Sequence, residues 1–236
     1  MGIHMHASDS QISQMLDLAA QASPQEACGL LLDDGRVYPC RNGAADPCRF
    51  FEIDPHDQAA AEQLGQVVGV WHSHPDGTAA PSLVDRAMCE RTALPWHIVS
   101  PALGDYQYLA PSGWQAPYVG RPYCYGVFDC WELVRDWMRR ERGVLLSRPL
   151  ESEGWWRQGE PLFTRHAEEN GYFPLDDPLE PGDVLMLQIG ASVPNHLAIW
   201  LGDGLILHHL KDRASEIHLY GGYWQRCTVS HWRHYP

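Results

Sequence analysis

Residues 66–74 read QVVGVWHSH, and the chain continues PDGTAAPSLVD to residue 85. The Val-rich run has the length and β-branched character of a buried strand. Side chains alternate along a strand, so His72 and His74, separated only by Ser73, emerge on one face with converging imidazoles. Asp85 follows eleven residues after His74, on a helix expected to begin at Pro81 and Ser82, and can return a carboxylate to the same spot. Two His and one Asp leave a fourth tetrahedral position open for water, which is the pattern of a catalytic zinc site and not of a structural one. An activated water would then be the nucleophile.

Working outward, SDSQISQMLDLAAQA places Ile12, Met15, Leu16 and Ala19 at helical spacing behind a cap at Ser8 or Ser10. ACGLLLDDGRVYPC predicts two short strands about the turn Asp33-Asp34-Gly35, and FFEIDP predicts another. PHDQAAAEQLG opens a helix on Pro55 and closes it on Gly65. A helix over about 82–92 and strands near 96–100 and 106–109 complete an α+β unit. The stretch APSGWQAPYVGRP, residues 110–122, interrupts both periodicities, so two domains are expected, 1–113 and 114–236.

In the second half, Asp129 begins DCWELVRDWMRRERG, a helix with Leu133, Trp137 and Met138 facing inward and Gly143 as its stop. A helix LFTRHAEENG and the strands GDVLMLQI, NHLAIWLG, GLILHH and EIHLY follow, again an α+β order. Cys130 sits in the first helical turn, where free N–H groups and the helix dipole favour a thiolate, so it is a candidate nucleophile. His196 starts a strand and can serve as its base. His208, twelve residues on across the turn Gly202-Asp203-Gly204, can orient His196. His209 is its rival, because alternation sends the two to opposite faces. Trp155 and Trp156 either form a substrate or partner surface or are buried under a long loop. Cys124, Cys227, His218, His231 and His234 are expected in structural or surface roles, as are His4, His6, His56 and His97, and Cys89 as a small buried apolar residue.

Composition sets limits. The 236 residues carry a formal net charge of -13, which argues against direct nucleic-acid binding. Seven scattered cysteines do not make a disulfide framework. No stretch approaches a membrane span and no secretory leader is visible, so synthesis in the cytoplasm of the cell that makes it is expected, and MGIHMH carries no functional weight.

Two resemblances sharpen these readings. HSHP, Ser82 and Asp85, with Glu26 in EACG upstream, resemble the JAMM (MPN) metallopeptidase motif. That resemblance implies His72, His74 and Asp85 as zinc ligands, Glu26 as general base and Ser82 as a hydrogen-bond donor to the oxyanion. Removal of ubiquitin-like tags is suggested by it alone. DCWELV, GDVLML, NHLAIWLGDG and LILHH resemble the NlpC-type cysteine peptidases, papain-like enzymes that hydrolyse peptidoglycan peptides. This implies Cys130 as nucleophile, His196 as base and then acid, and His208 as third member. It also implies that Tyr123 in YCYG, with Tyr125 as rival, helps form the oxyanion site with the Cys130 N–H. The chain departs from that pattern in a shorter loop before Asp129 and in Trp131-Glu132 after the cysteine.

The order of the two motifs resembles the tail-tip assembly proteins of lambda-like phages. It implies a place at the virion tail tip, other tail-tip proteins and peptidoglycan peptides as partners, and host cytoplasm as the site of synthesis. Two functions are compatible with this: an active peptidase, or a structural assembly or plug protein with one or both sites unused.

Overall fold

A computed structural model describes residues 6–149 and 152–235, so His4 lies outside the described residues. The chain divides into two compact units, 1–115 and 116–236. Both are α+β.

The first unit opens with α1, Asp9–Ala22, capped by Ser8 in a reciprocal pair with Gln11. Strands β1 (Cys28–Leu32) and β2 (Val37–Cys40) form a hairpin, followed by helix α2 (Pro55–Leu64). Then come β3 (Val67–Ser73), α3 (Leu83–Thr92), β4 (Trp96–Ser100) and β5 (Asp105–Leu109). The sheet order is β2-β1-β3-β4-β5, antiparallel except for the parallel pair β3 and β4. Alternation along β3 sends Trp71 towards α1, where it packs with Met15, Ala19, Leu31 and Val99. Val70 goes to the other face, with Ala61 of α2 and Cys89 of α3. His72 shares that second face, so the strand delivers it towards α3.

FFEIDP is not a strand. It keeps a single bridge, Asn42 to Ile53, because the Asn42 side chain takes over the backbone groups a ladder would use. Its amide nitrogen donates to the Glu26 and Phe50 carbonyls, and its oxygen accepts from Ala44 and Glu52 N–H.

The second unit carries α4 (Cys130–Trp137), which widens into a π-helical turn over Met138–Arg142 and so is not one uniform helix to Gly143. After α5 (Leu162–Glu169) come β6 (Tyr172–Pro174), β7 (Val184–Leu187), β8 (His196–Gly202), β9 (Leu205–His208) and β10 (Glu216–Leu219). A short helix α6 (Tyr223–Cys227) and a long strand β11 (Thr228–His234) follow; neither is among the elements predicted above. The sheet order is β10-β9-β8-β7-β11-β6, so the last strand is inserted inside the sheet. Helix α4 packs Leu133, Val134 and Trp137 against Val184, Met186, Leu197, Ile199 and Leu207 of one sheet face. Each such fully buried aliphatic side chain contributes roughly 1.5–3 kcal/mol.

One glycine in β1 is set by close approach. A Cβ on Gly29 would stand 2.1 Å from the Tyr38 carbonyl oxygen and 2.5 Å from Trp71 Nε1. Gly29→Ala is therefore expected to destabilise the first unit by about 1–3 kcal/mol or more. A urea midpoint equal to wild type would contradict this packing.

Candidate functional site

The first site is built where β3 ends and α3 begins. Ser82 N-caps α3 in a capping box: the Asp85 N–H donates to Ser82 Oγ, and the Ser82 N–H donates to Asp85 Oδ2 at 2.7 Å. The same contact that starts the helix thus aims the Asp85 carboxylate at the strand end. His72 Nε2 lies 3.3 Å from Asp85 Oδ1, and His74 Nε2 lies 3.4 Å from Oδ2. The two Nε2 atoms are 3.2 Å apart. Ligands about 2.0–2.1 Å from a tetrahedral zinc stand about 3.3 Å from each other; the three contacts match that spacing, with the two imidazoles facing different oxygens of one carboxylate. His74 Nδ1 is paired with the Thr78 carbonyl at 2.9 Å, which puts the ring proton on Nδ1 and leaves Nε2 a lone pair.

Burial works against the Asp85 carboxylate, yet the charged, Nε2-protonated forms of His72 and His74 would donate to it and hold it well below the usual carboxylate range; the His74 pKa is raised, its burial outweighed by Asp85. Burial lowers His72. Glu26 stands just before β1. The register Cys28 to His72, continued by the Ala27–Ser73 contacts, places it opposite His74. Burial pushes its carboxyl up to about 7, with the His74 charge lowering and the Asp85 charge raising it. Ser82 Oγ accepts the Asp85 amide and retains its own hydroxyl hydrogen. Phe51 stacks on the His72 ring at 4.6 Å and Trp96 meets it edge-on at 5.4 Å, closing the apolar side.

The second site is a cavity of about 260 Å3 whose lining includes Cys130, His196, Tyr123, Tyr125, Trp155 and Trp156. Asp129 caps α4 through the Glu132 N–H at 2.8 Å and also accepts from the Gly126 N–H and from Arg148. That cap fixes the turn that carries Cys130. Burial works against the thiolate that the helix start favours. Burial pushes the Cys130 thiol up to about 12, the neighbouring Asp129 carboxylate adds to this, and the Leu197 and Trp131 N–H groups and Arg148 only partly oppose it. A helix N-terminus supplies about 0.3–1 kcal/mol, less than one pK unit, so desolvation wins. Cys130 rests as a thiol.

His196 is buried, and burial followed by the charges of His208 and His209 lowers its pKa well below the ordinary value. Its Nε2 lies 3.0 Å from His208 Nδ1. His208 is therefore the imidazole at hydrogen-bond distance, whereas His209 turns to the cavity wall and pairs its Nε2 with the Arg213 carbonyl. The Tyr123 hydroxyl donates to Glu153 Oε1 at 3.0 Å, and Glu153 in turn pairs with Lys211. Burial and Glu153 hold that phenol well above its usual range. Trp155 is buried against Phe163, and Trp156 is half-buried beside it.

Sequence reasoning missed His218. Its Nδ1 lies 2.7 Å from His208 Nε2. Its signal was the register: Ala198 pairs with His208 and His208 with Glu216, so 196, 208 and 218 step diagonally across one sheet face. His208, Glu216 and His218 also have ligand-type atoms within 4.8 Å of one another. The spacing there suits a hydrogen bond, since 2.7 Å is well short of the about 3.3 Å between two ligands of one tetrahedral zinc.

These two sites define a two-domain protein, an MPN/JAB-like domain followed by an NlpC/P60-like domain. Residues 8–111 match the prokaryotic homologs of the JAB domain, and residues 120–233 match the NlpC/P60 family. Tail tip assembly protein K of Escherichia phage N15 is 40% identical over 223 residues, covering 92% of this chain and 91% of that protein. Tail tip assembly protein K of Escherichia phage lambda is 36% identical over 183 residues, covering 77% and 89%. Desampylase of Haloferax volcanii is 35% identical over 103 residues, covering 39% of this chain and 72% of that protein. The chain belongs to the family of the phage tail tip assembly protein K.

Burial makes the second site acid-sensitive. His208 is held down at about 4 by burial, then by the charges of His218 and His209. In the unfolded chain a His titrates near 6.5. Between about 6.5 and 4 the unfolded chain gains a proton that the folded chain refuses, so stability falls as pH drops through that window and recovers as it rises. Urea midpoints across the window are expected to show this slope, and His208→Asn to flatten it; an equal slope in both would contradict the buried neutral ring.

Proposed function

We propose that the protein acts at a phage tail tip as a cysteine peptidase that hydrolyses peptidoglycan peptides, and that its first domain is a zinc-binding metallopeptidase. The observation that carries the peptidase reading is the row Cys130, His196 and His208, with Cys130 and His196 lining one cavity and His208 hydrogen-bonded to His196. His196 Nε2 is engaged by His208, so Nδ1 is the nitrogen that takes the thiol proton. The Cys130 sulfur then attacks the scissile carbonyl, and the Cys130 backbone N–H meets the developing oxyanion. His196 returns its proton to the leaving amine, and water releases the acyl group by the reverse route, with His196 again as base. Tyr123 joins the oxyanion site once its hydroxyl leaves Glu153. Because thiol and imidazole are both neutral at rest, proton transfer accompanies attack and no stored ion pair precedes it.

In the first domain His72, His74 and Asp85 would hold zinc, which would supply Lewis-acid activation of water. Glu26, raised to about 7 by burial, is poised to hold or release a proton beside His74 and Asp85 near neutral pH. Ser82 offers its hydroxyl hydrogen to the oxygen that gains charge. Other tail-tip proteins are the expected partners, and the virion tail the expected location. The alternative, an assembly or plug protein with one or both sites unused, is favoured by one observation: the Tyr123 hydroxyl is held by Glu153 and so is engaged away from an oxyanion.

Digestion of purified sacculi separates the readings. Wild type is expected to release peptide fragments, and Cys130→Ala to lose at least about a thousandfold of that rate. No fragments from wild type, or equal release from Cys130→Ala, would leave the assembly reading. Elemental analysis is expected to find one zinc per wild-type chain and its loss in His72→Ala; equal zinc in both would defeat the ligand assignment.

A further inference from the structure

The triad does not stop at His208. His196 Nε2 faces His208 Nδ1 at 3.0 Å, His208 Nε2 faces His218 Nδ1 at 2.7 Å, and His218 Nε2 faces Glu216 Oε2 at 3.5 Å. His208 is fully buried, whereas His218 and Glu216 are about one-third exposed, so the row runs from the cavity wall to solvent. Trp224 of α6 holds it in place, stacked on His218 at 5.4 Å and edge-on to His208 at 4.5 Å.

Proton accounting along the row allows one arrangement that serves catalysis. For His196 Nδ1 to accept from Cys130, His196 must carry its proton on Nε2 and donate to His208 Nδ1. His208 must then carry its proton on Nε2 and donate to His218 Nδ1. His218 must carry its own on Nε2, which faces the Glu216 carboxylate at 3.5 Å and solvent. The reverse arrangement would point an N–H at the thiol and leave the Glu216 carboxylate facing a lone pair.

We infer that His218 and Glu216 are positioning residues of the cysteine site, setting the tautomer of His196 through His208 and drawing off the charge that His196 acquires. The inference rests on the peptidase reading proposed above. When the thiol proton moves from Cys130 Sγ to His196 Nδ1, the Nε2 proton of His196 can shift to His208 Nδ1 and that of His208 to His218 Nδ1. The positive charge then lies on His218, about one-third exposed to water and beside the Glu216 carboxylate, and no proton is gained or lost overall. Burial and the neighbouring His209 charge oppose a cation at His196 or His208, which gives the displacement its direction. The other titratable groups on that side include Tyr220, Cys227 and His231, whose Nε2 lies 3.4 Å from the Tyr220 hydroxyl, and none of them replaces Glu216 as an anion.

Alkylation of Cys130 by iodoacetamide tests this without a peptide substrate. The full chain is labelled from about pH 6 to 10 and the Cys130 peptide is quantified by mass spectrometry. His218→Leu is expected to slow labelling near neutral pH by about tenfold and to move the profile to higher pH, because the His196 cation loses its outlet. His218→Gln, which can accept from His208 and donate onward, is expected to restore most of the rate. Glu216→Gln, a near-isosteric change at a partly exposed position, should shift the profile the same way by about threefold. If His196→Ala alters the profile while His218→Leu and Glu216→Gln both match wild type, the relay is overturned and the base assignment stands. If His196→Ala also matches wild type, both fall.

Discussion

A buried imidazole resists a free charge and gains from a partner at its ring nitrogens, and both halves of this protein are organised around that constraint, although His72 Nδ1 and His209 Nδ1 remain buried without a partner. His72 lies one residue before the end of one central strand and His196 begins another, and both are buried. In the first unit a carboxylate and a second imidazole converge at 3.2–3.4 Å, a geometry that is awkward for hydrogen bonds alone and suited to one cation. In the second unit the partner is another imidazole, whose own far nitrogen needs a further partner. The need is passed from ring to ring until it reaches the surface. Similar pressure yields a point in one case and a line in the other.

Helix starts supply the second ingredient in both units. Asp85 is the third helical residue of α3 and closes the capping box with Ser82, so its carboxylate is fixed by the helix's own free N–H groups before any ligand is considered. Asp129 caps α4 and anchors Arg148, which fixes the turn bearing Cys130. The helix start settles where Cys130 sits more than how it ionises. Its dipole is outweighed by burial and by the capping carboxylate beside it. In the proposed cysteine chemistry, a start from a neutral pair would place the electrostatic work on the acceptor side, at His196 and whatever stabilises its cation.

Most of this was legible from local pattern. His72 and His74 follow from strand alternation, and Asp85 from a helix beginning at Ser82. Cys130 and its cap were readable because an Asp before an amphipathic run is a strong helix start. What was not legible depended on long-range pairing. FFEIDP has the composition of a strand, but the side chain of Asn42 competes for its backbone groups, and a single residue ten positions away carries no periodic signal. β11 pairs with β7 and β6, so its place inside the sheet is set by register that the chain order conceals. His218 was readable as a strand residue and unreadable as a partner of His208 until the pairing of β9 with β10 was known.

Nitrogen-15 NMR of the histidine rings, taken through a pH titration and then with zinc, addresses the shared constraint directly. His196 and His208 are expected to keep neutral rings with the proton on Nε2 well below the pH at which an exposed His charges, about 6.5. One equivalent of zinc is expected to move the Nε2 signals of His72 and His74 while leaving those of His196, His208 and His218 in place. Ordinary titration of His196 and His208 near 6.5, or zinc acting first on His208 and His218, would contradict the account.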